Sequence, residues 1–170
     1  MRDIKFRGKR MDNGEWVYGY YLPDMLEKTH KNMTDWAFIR EHQYKNAKAI
    51  THEVFKKSVG QSTELTDVNG EEIFEGDIVV FTDGISKNPG KKYICEVNFG
   101  CGTYGISCLN GFNVDFGEGN DNFISFWEIL WNDSNPDGLY DGSLEWVEVI
   151  GNIHDNPELR SVSCAEQGGV

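Results

Sequence analysis

Apolar and polar positions alternate with a period of two along most of this chain, in short runs closed by glycine and asparagine. That is the pattern of half-buried antiparallel strands, because successive side chains of a strand point to opposite faces. The clearest stretch is 60–81, GQSTELTDVNGEEIFEGDIVVF. Asn69-Gly70 supplies the positive φ angles of a tight hairpin turn, and Gly76-Asp77 predicts a second reversal before the β-branched run Ile78, Val79, Val80. In residues 93–99, Tyr93, Cys95, Val97 and Phe99 alternate with Ile94, Glu96 and Asn98. Gly100, Gly102 and Gly105 then break the run, and residues 103–109 return antiparallel to it, as in a meander.

Residues 4–9 and 15–22 read as two strands joined by a turn at Asp12-Asn13-Gly14. In the second of them Trp16, Tyr18 and Tyr20 alternate with Val17, Gly19 and Tyr21, so both faces are partly apolar. This predicts a strand near the centre of a packed sheet, with the three aromatics in the core rather than stacking on bases or sugars. Residues 36–40 and 50–55 are further short strands, and 144–153 is the last. Residues 23–31 form a loop or a short helix opened by Pro23. Residues 123–131, FISFWEILW, are apolar almost all round and fit a buried strand or a two-turn helix equally. The tail, 161–170, has no periodicity and is expected to be disordered. The fold class is therefore mainly β: a small barrel-like or sandwich arrangement of short antiparallel strands with one or two short helices. Residues 1–160 make one domain, divisible into β subdomains at about 1–57 and 58–160.

Composition agrees with a folded, turn-rich chain: 39% hydrophobic, 13% aromatic, 19 Gly and only 4 Pro. No apolar stretch approaches the length of a membrane helix, and the first residues lack the apolar core of a signal peptide, so a soluble, cytoplasmic protein without membrane contact is expected. Charge is uneven. Residues 1–57 hold twelve Lys/Arg against eight Asp/Glu, net +4, and residues 58–170 hold four against twenty, net −16, together the chain's −12. An acidic chain of this kind is not a nonspecific nucleic-acid binder, and no direct nucleic-acid contact is predicted. The basic beginning is either a solvated strand edge or a surface that pairs with the acidic remainder of the same or a neighbouring copy.

Candidate chemistry is sparse. Cys95, Cys101, Cys108 and Cys164 are spaced too irregularly for a metal-binding pair and read as free thiols, small apolar residues of which three lie on adjacent strands. His30, His42, His52 and His154 form no paired ligand motif. Asp133, Asn135, Asp137 and Gly138 reproduce the start of an EF-hand loop, but its closing carboxylate falls on Leu144 with Glu145 one residue late. The acidic stretch 115–121, with Gly117 to Phe123 like one unit of a calcium-binding β-helix, is a lone copy. Plain Asn/Asp/Gly connections account for both acidic loops, 115–121 and 133–145. Neither a phosphate loop nor a nucleophile elbow is present. Catalytic, cofactor-binding and metal residues are accordingly predicted as none, and no cofactor is expected.

Three blocks carry a family likeness: IKFR at 4–7, VGQSTELTDVNGEEIFEGDIV at 59–79 and VIGNIHDNPEL at 149–159. In order and spacing they resemble the YopX family, proteins of phages and prophages of Gram-positive bacteria, from end to end of the chain. The central block departs from the family's usual aromatic or Thr-Gly around Ser62 to Glu64. The resemblance implies a mainly β fold, homo-oligomeric assembly and a phage or prophage origin in a bacterial host cytoplasm, and it brings no established activity. The function expected is a non-enzymatic, self-associating interaction module with a possible host or phage protein partner. Two alternatives remain. One is an acidic decoy that mimics DNA toward a host DNA-binding protein, with Glu71, Glu72 and Glu75 among its carboxylates. The other is a metal-assisted hydrolase built on Asp133, Asp137 and Glu145.

Overall fold

The computed structural model describes residues 4–22, 35–41, 50–83, 90–109, 123–132 and 143–161. The expected loop or helix at 23–31, both acidic loops except Ser143 to Glu145, Cys164 and the tail beyond Ser161 lie outside the described residues. The chain divides into two compact units, Met1–Ser62 and Thr63–Val170.

In the first unit, β1 (Phe6–Lys9), β2 (Trp16–Leu22), β3 (Trp36–Glu41) and β4 (Thr51–Phe55) follow one another as antiparallel neighbours. β5 (Gly60–Asp67) begins here, with Gly60 and Gln61 opposite Arg7 and Phe6. The turn after β1 is closed by Gly14 N–H to Arg10 O at 3.1 Å, with Gly14 at φ 74°, as its Asn-Gly signal predicts. The sheet curls until β1's end meets β4: Arg10 bridges Val54, and Met11 N–H donates to Glu53 O at 3.0 Å. A short 3-10 turn, Lys56–Ser58, follows β4. Ser58 fixes it, its buried hydroxyl accepting from Lys9 N–H at 2.8 Å and donating to Phe55 O at 2.6 Å. The core inside the curl is Val17, Ala37, Ile39 and Val54, flanked by Phe6, Tyr21 and Val59.

The two ends of β5 do different work. Glu64, at φ 64°, interrupts the extended run between Gly60-Gln61 and Thr66-Asp67. A left-handed conformation is uncommon for a residue with a Cβ.

The second unit is built on an antiparallel sheet ordered β10-β9-β8-β7-β12. Its members are β7 (Asp77–Thr82), β8 (Lys92–Gly100), β9 (Thr103–Cys108), β10 (Phe123–Ser125) and β12 (Val147–Asn152). β6 (Glu72–Phe74) pairs with β5 across the Asn69-Gly70 turn, and β11 (Ser143–Leu144) runs parallel to Thr66-Asp67. Register puts alternate apolar residues on one face: Val79 and Phe81, then Tyr93, Cys95 and Val97, then Ile106 and Cys108, and at the edges Ile124 and Val147. Ile73, Phe126, Ile129 and Leu144 from outside this sheet complete the same buried cluster, which makes the unit layered. The chain is thus mainly β, with twelve strands in two sheets and no closed barrel among the described residues.

Three expectations are refined. Residues 123–131 are neither all strand nor all helix: β10 ends at Ser125 and α1 spans Phe126–Asn132. Ser125 and Glu128 form a capping box: Glu128 N–H donates to Ser125 Oγ at 3.2 Å, and Ser125 N–H donates to Glu128 Oε2 at 2.9 Å. Ser125→Ala is expected to cost about 1 kcal/mol of second-unit stability, read as a lower urea midpoint. The run 144–153 is not one strand, because the chain turns at Glu145-Trp146 between the parallel β11 and the antiparallel β12. The third is the placing of the β2 aromatics, of which Tyr18 and Tyr20 are exposed.

Beyond β12 the closing block folds on itself. Asn152 Oδ1 accepts from His154 N–H at 3.0 Å and Asp155 N–H at 2.9 Å, and Asn156 N–H donates to Asn152 O at 2.9 Å. Ile153 N–H then reaches Gly76 O at 2.9 Å. The 3-10 segment Pro157–Ser161 places Arg160 Nη2 2.7 Å from Glu96 Oε2, on the β8 face opposite Cys95 and Val97. Ser161, assigned to the tail from sequence, belongs to this segment.

Candidate functional site

Directly opposed residues of an antiparallel pair share a face. In the first unit this splits the side chains into two sets. Phe6, Gly8, Val17, Gly19, Tyr21, Ala37, Ile39 and Val54 point into the curl. The other set points outward: Arg7 and Lys9 opposite Tyr18 and Trp16, Tyr20 and Leu22 opposite Arg40 and Phe38, and Trp36, Phe38 and Arg40 opposite Phe55, Glu53 and Thr51. Half of these twelve residues are aromatic, three are cations and one is an acid; Arg7 is buried under its neighbours, and Lys9 and Arg40 are the half-exposed cations of this apolar face.

This overturns the expectation of core packing for Tyr18 and Tyr20, while Trp16 is half-buried. Tyr18 is 45% and Tyr20 43% exposed, whereas their neighbours Val17 and Gly19 are buried. The cause is room. The inside of a tightly curled sheet is narrow: a Cβ added at Gly8 would stand 3.0 Å from Val54 Cγ2 and 3.2 Å from Ile39 Cγ1. Small and β-branched side chains fill the middle of that space with Phe6 and Tyr21 packed at its flank, and Trp16, Tyr18 and Tyr20 fall on the opposite face.

Cations lie over these rings. Lys5 Nζ sits 5.4 Å from the Tyr18 ring centre, and the Arg7 guanidinium carbon 4.8 Å from that of Trp16. Such contacts hold a flexible cation in place and keep its charge next to an apolar surface. Arg40 is braced by its Nε contact to Thr51 Oγ1 at 3.4 Å. At the turn below, Arg10 pairs with Asp12, and that hydrogen bond holds the Asp12 carboxyl below its ordinary range while raising Arg10. An ordered array of rings and cations suits a partner that offers carboxylates or other anionic oxygens beside apolar surface.

The chemistry weighed from sequence stands apart from this face. Among the described residues, no group of three or more His, Cys, Asp or Glu is placed to hold a metal ion. Asp133 and Asp137 lie outside the described residues, while Glu145 is exposed at the β11–β12 turn. His52 lies beside Glu41, Nε2 to Oε1 at 2.7 Å, at the margin of the first unit's sheet. Glu72 opens β6 and Glu71 and Glu75 flank it, none of them buried. Cys95 and Cys108 are buried free thiols, and Cys101 is exposed in the β8–β9 turn. No described helix is long and apolar enough to cross a membrane.

Among the buried polar residues that the sequence did not single out is Asp67, 1% exposed. Its Oδ1 accepts from Asn69 N–H and Glu71 N–H, both at 2.8 Å, and its Oδ2 from Val149 N–H at 2.9 Å. One carboxylate thereby shapes the Asn69-Gly70 turn and ties it to β12. An Asp two residues before Asn-Gly is the local signal for the first two bonds, since Asp side chains cap turns in this way.

Comparison with known proteins gives a family and no activity. No curated protein matches the chain significantly. A solved structure, the crystal structure of protein EF1440 from Enterococcus faecalis, is similar at 24% identity, covering 94% of this chain and 99% of that one, with a TM-score of 0.43. The model of the YopX protein family matches residues 5–160, and the chain belongs to that family.

Proposed function

We propose that this protein is a non-enzymatic interaction module, phage- or prophage-encoded and acting in the bacterial host cytoplasm, which self-associates through the outer sheet face of its first unit. The observation that carries the reading is the exposed aromatic surface of Tyr18 and Tyr20, with Lys5 held over the Tyr18 ring and Arg40 beside Tyr20. Its occupant is the acidic second unit of another copy. Residues 1–62 carry the same net +4 as residues 1–57, and residues 63–170 carry −16, so the complement to the basic face is present on every molecule at equal concentration. Contact between unlike surfaces of identical chains is head-to-tail, which closes into a ring when the rotation permits.

Light scattering across a salt series tests this. The expected result is a mass above the monomer at low ionic strength, with association weakening as salt rises, because screening shortens the reach of charge from about 30 Å at 0.01 M to about 3 Å at 1 M. A monomeric mass at every protein and salt concentration contradicts the reading.

A further inference from the structure

We propose that Cys95 and Cys108 form a reversible dithiol–disulfide couple within the second unit, a redox modification site separate from the interaction face. The two residues are directly opposed on β8 and β9. Leu109 N–H donates to Ile94 O at 3.1 Å, a bond between residues flanking the pair. This makes 95/108 a non-hydrogen-bonded position of the ladder, where side chains approach most closely and Cα atoms are about 4.5 Å apart. A disulfide spans Cα separations of about 4.4–6.8 Å, so the backbone already meets its requirement. The sulfur atoms stand 3.2 Å apart, in hydrogen-bond contact as thiols.

Cys95 is fully buried and Cys108 is 8% exposed, so Cys108 is the sulfur that a small oxidant reaches first. The hydrogen bond with Cys95 also draws the Cys108 thiol below its ordinary range, against the opposing effect of burial. The co-reactant is hydrogen peroxide. The Cys108 thiolate attacks the peroxide, forming an S–O bond and breaking the O–O bond, and the departing oxygen leaves as water after taking up a proton. Cys95 then attacks the Cys108 sulfenic sulfur, forming the S–S bond and expelling the second oxygen as water. Two thiols are oxidised and one peroxide is reduced to two waters. Attack by a dithiol reductant on the disulfide reverses the outcome.

The test uses the full chain with Cys101→Ser and Cys164→Ser, which removes the other two thiols. After mild hydrogen peroxide, denaturation and alkylation, mass spectrometry is expected to show a protein lighter by two hydrogens, with no alkylated cysteine and a peptide linking 95 to 108. Dithiothreitol restores two alkylatable thiols. In the same background, Cys95→Ser leaves a Cys108 sulfenic acid that dimedone traps. If both thiols remain alkylatable after peroxide, or if Cys108 advances to sulfinic acid without linking to Cys95, the couple does not exist.

Discussion

Asp67→Ala is expected to lower the stability of the second unit by about 3–5 kcal/mol, the sum of several charge-assisted hydrogen bonds discounted for the two turn amides that water reaches after the change. The carboxylate, 1% exposed, takes three backbone N–H groups from two separate stretches of chain, residues 69–71 and Val149. Without it, the Val149 N–H loses its partner and the turn loses its template. The Val68 N–H to Val147 O bond, 3.0 Å, lies beside it and weakens with it. Urea unfolding followed by tryptophan fluorescence reads the loss. Asp67→Asn, which keeps one acceptor oxygen, is expected to fall between wild type and the alanine variant. A midpoint for Asp67→Ala equal to wild type would show that these bonds add nothing net.

Gly19→Ala is the second large effect, about 3 kcal/mol or more, and it falls on the first unit. A Cβ at position 19 would overlap the Arg40 carbonyl oxygen and stand 2.7 Å from the Arg40 carbonyl carbon and 2.9 Å from Glu41 Cα. Those atoms belong to the paired β3 backbone and have no rotamer by which to move aside. β2 and β3 must separate, and Gly19 lies between Tyr18 and Tyr20, so the outer face is disrupted together with the ladder. Circular dichroism melting is expected to show the loss, and any salt-dependent assembly is expected to vanish with it. Wild-type melting in this variant would mean that the two strands have freedom that the geometry denies.

The parts of the fold legible in the sequence are those decided by local rules. Asn13-Gly14 and Asn69-Gly70 mark turns, and Gly14 and Gly70 adopt positive φ of 74° and 81°, but Asn69 does not, so that turn is not the two-residue form with both residues at positive φ. Alternation from Tyr93 to Val97 locates β8 and its buried face. The capping box at Ser125 and Glu128 was equally local, a Ser followed three residues later by Glu, and it resolves the strand-or-helix ambiguity of 123–131.

What failed needed tertiary information. Period-two alternation in β2 defines two faces without saying which is inside, and three large aromatics outweigh Val17, Gly19 and Tyr21 on hydrophobicity. The curl reverses that choice, since its interior admits Gly8, Ala37 and Val54 but not an indole. The split of 144–153 into β11 and β12 follows from pairing partners distant in sequence, Thr66-Asp67 for one and β7 for the other. The Val149 bond of Asp67 spans 82 residues and leaves no local trace. The candidate site was therefore visible as residues, basic and aromatic in the first unit, and invisible as a surface.

The measurement closest to the central claim compares the mass of wild type with that of a Tyr18→Ser, Tyr20→Ser, Arg40→Gln variant by light scattering at low salt, with far-ultraviolet circular dichroism confirming that both are folded. The outer sheet face as the working surface predicts an assembled wild type and a folded, monomeric variant. A variant that assembles to the wild-type mass would place the interaction elsewhere on the molecule and contradict the account.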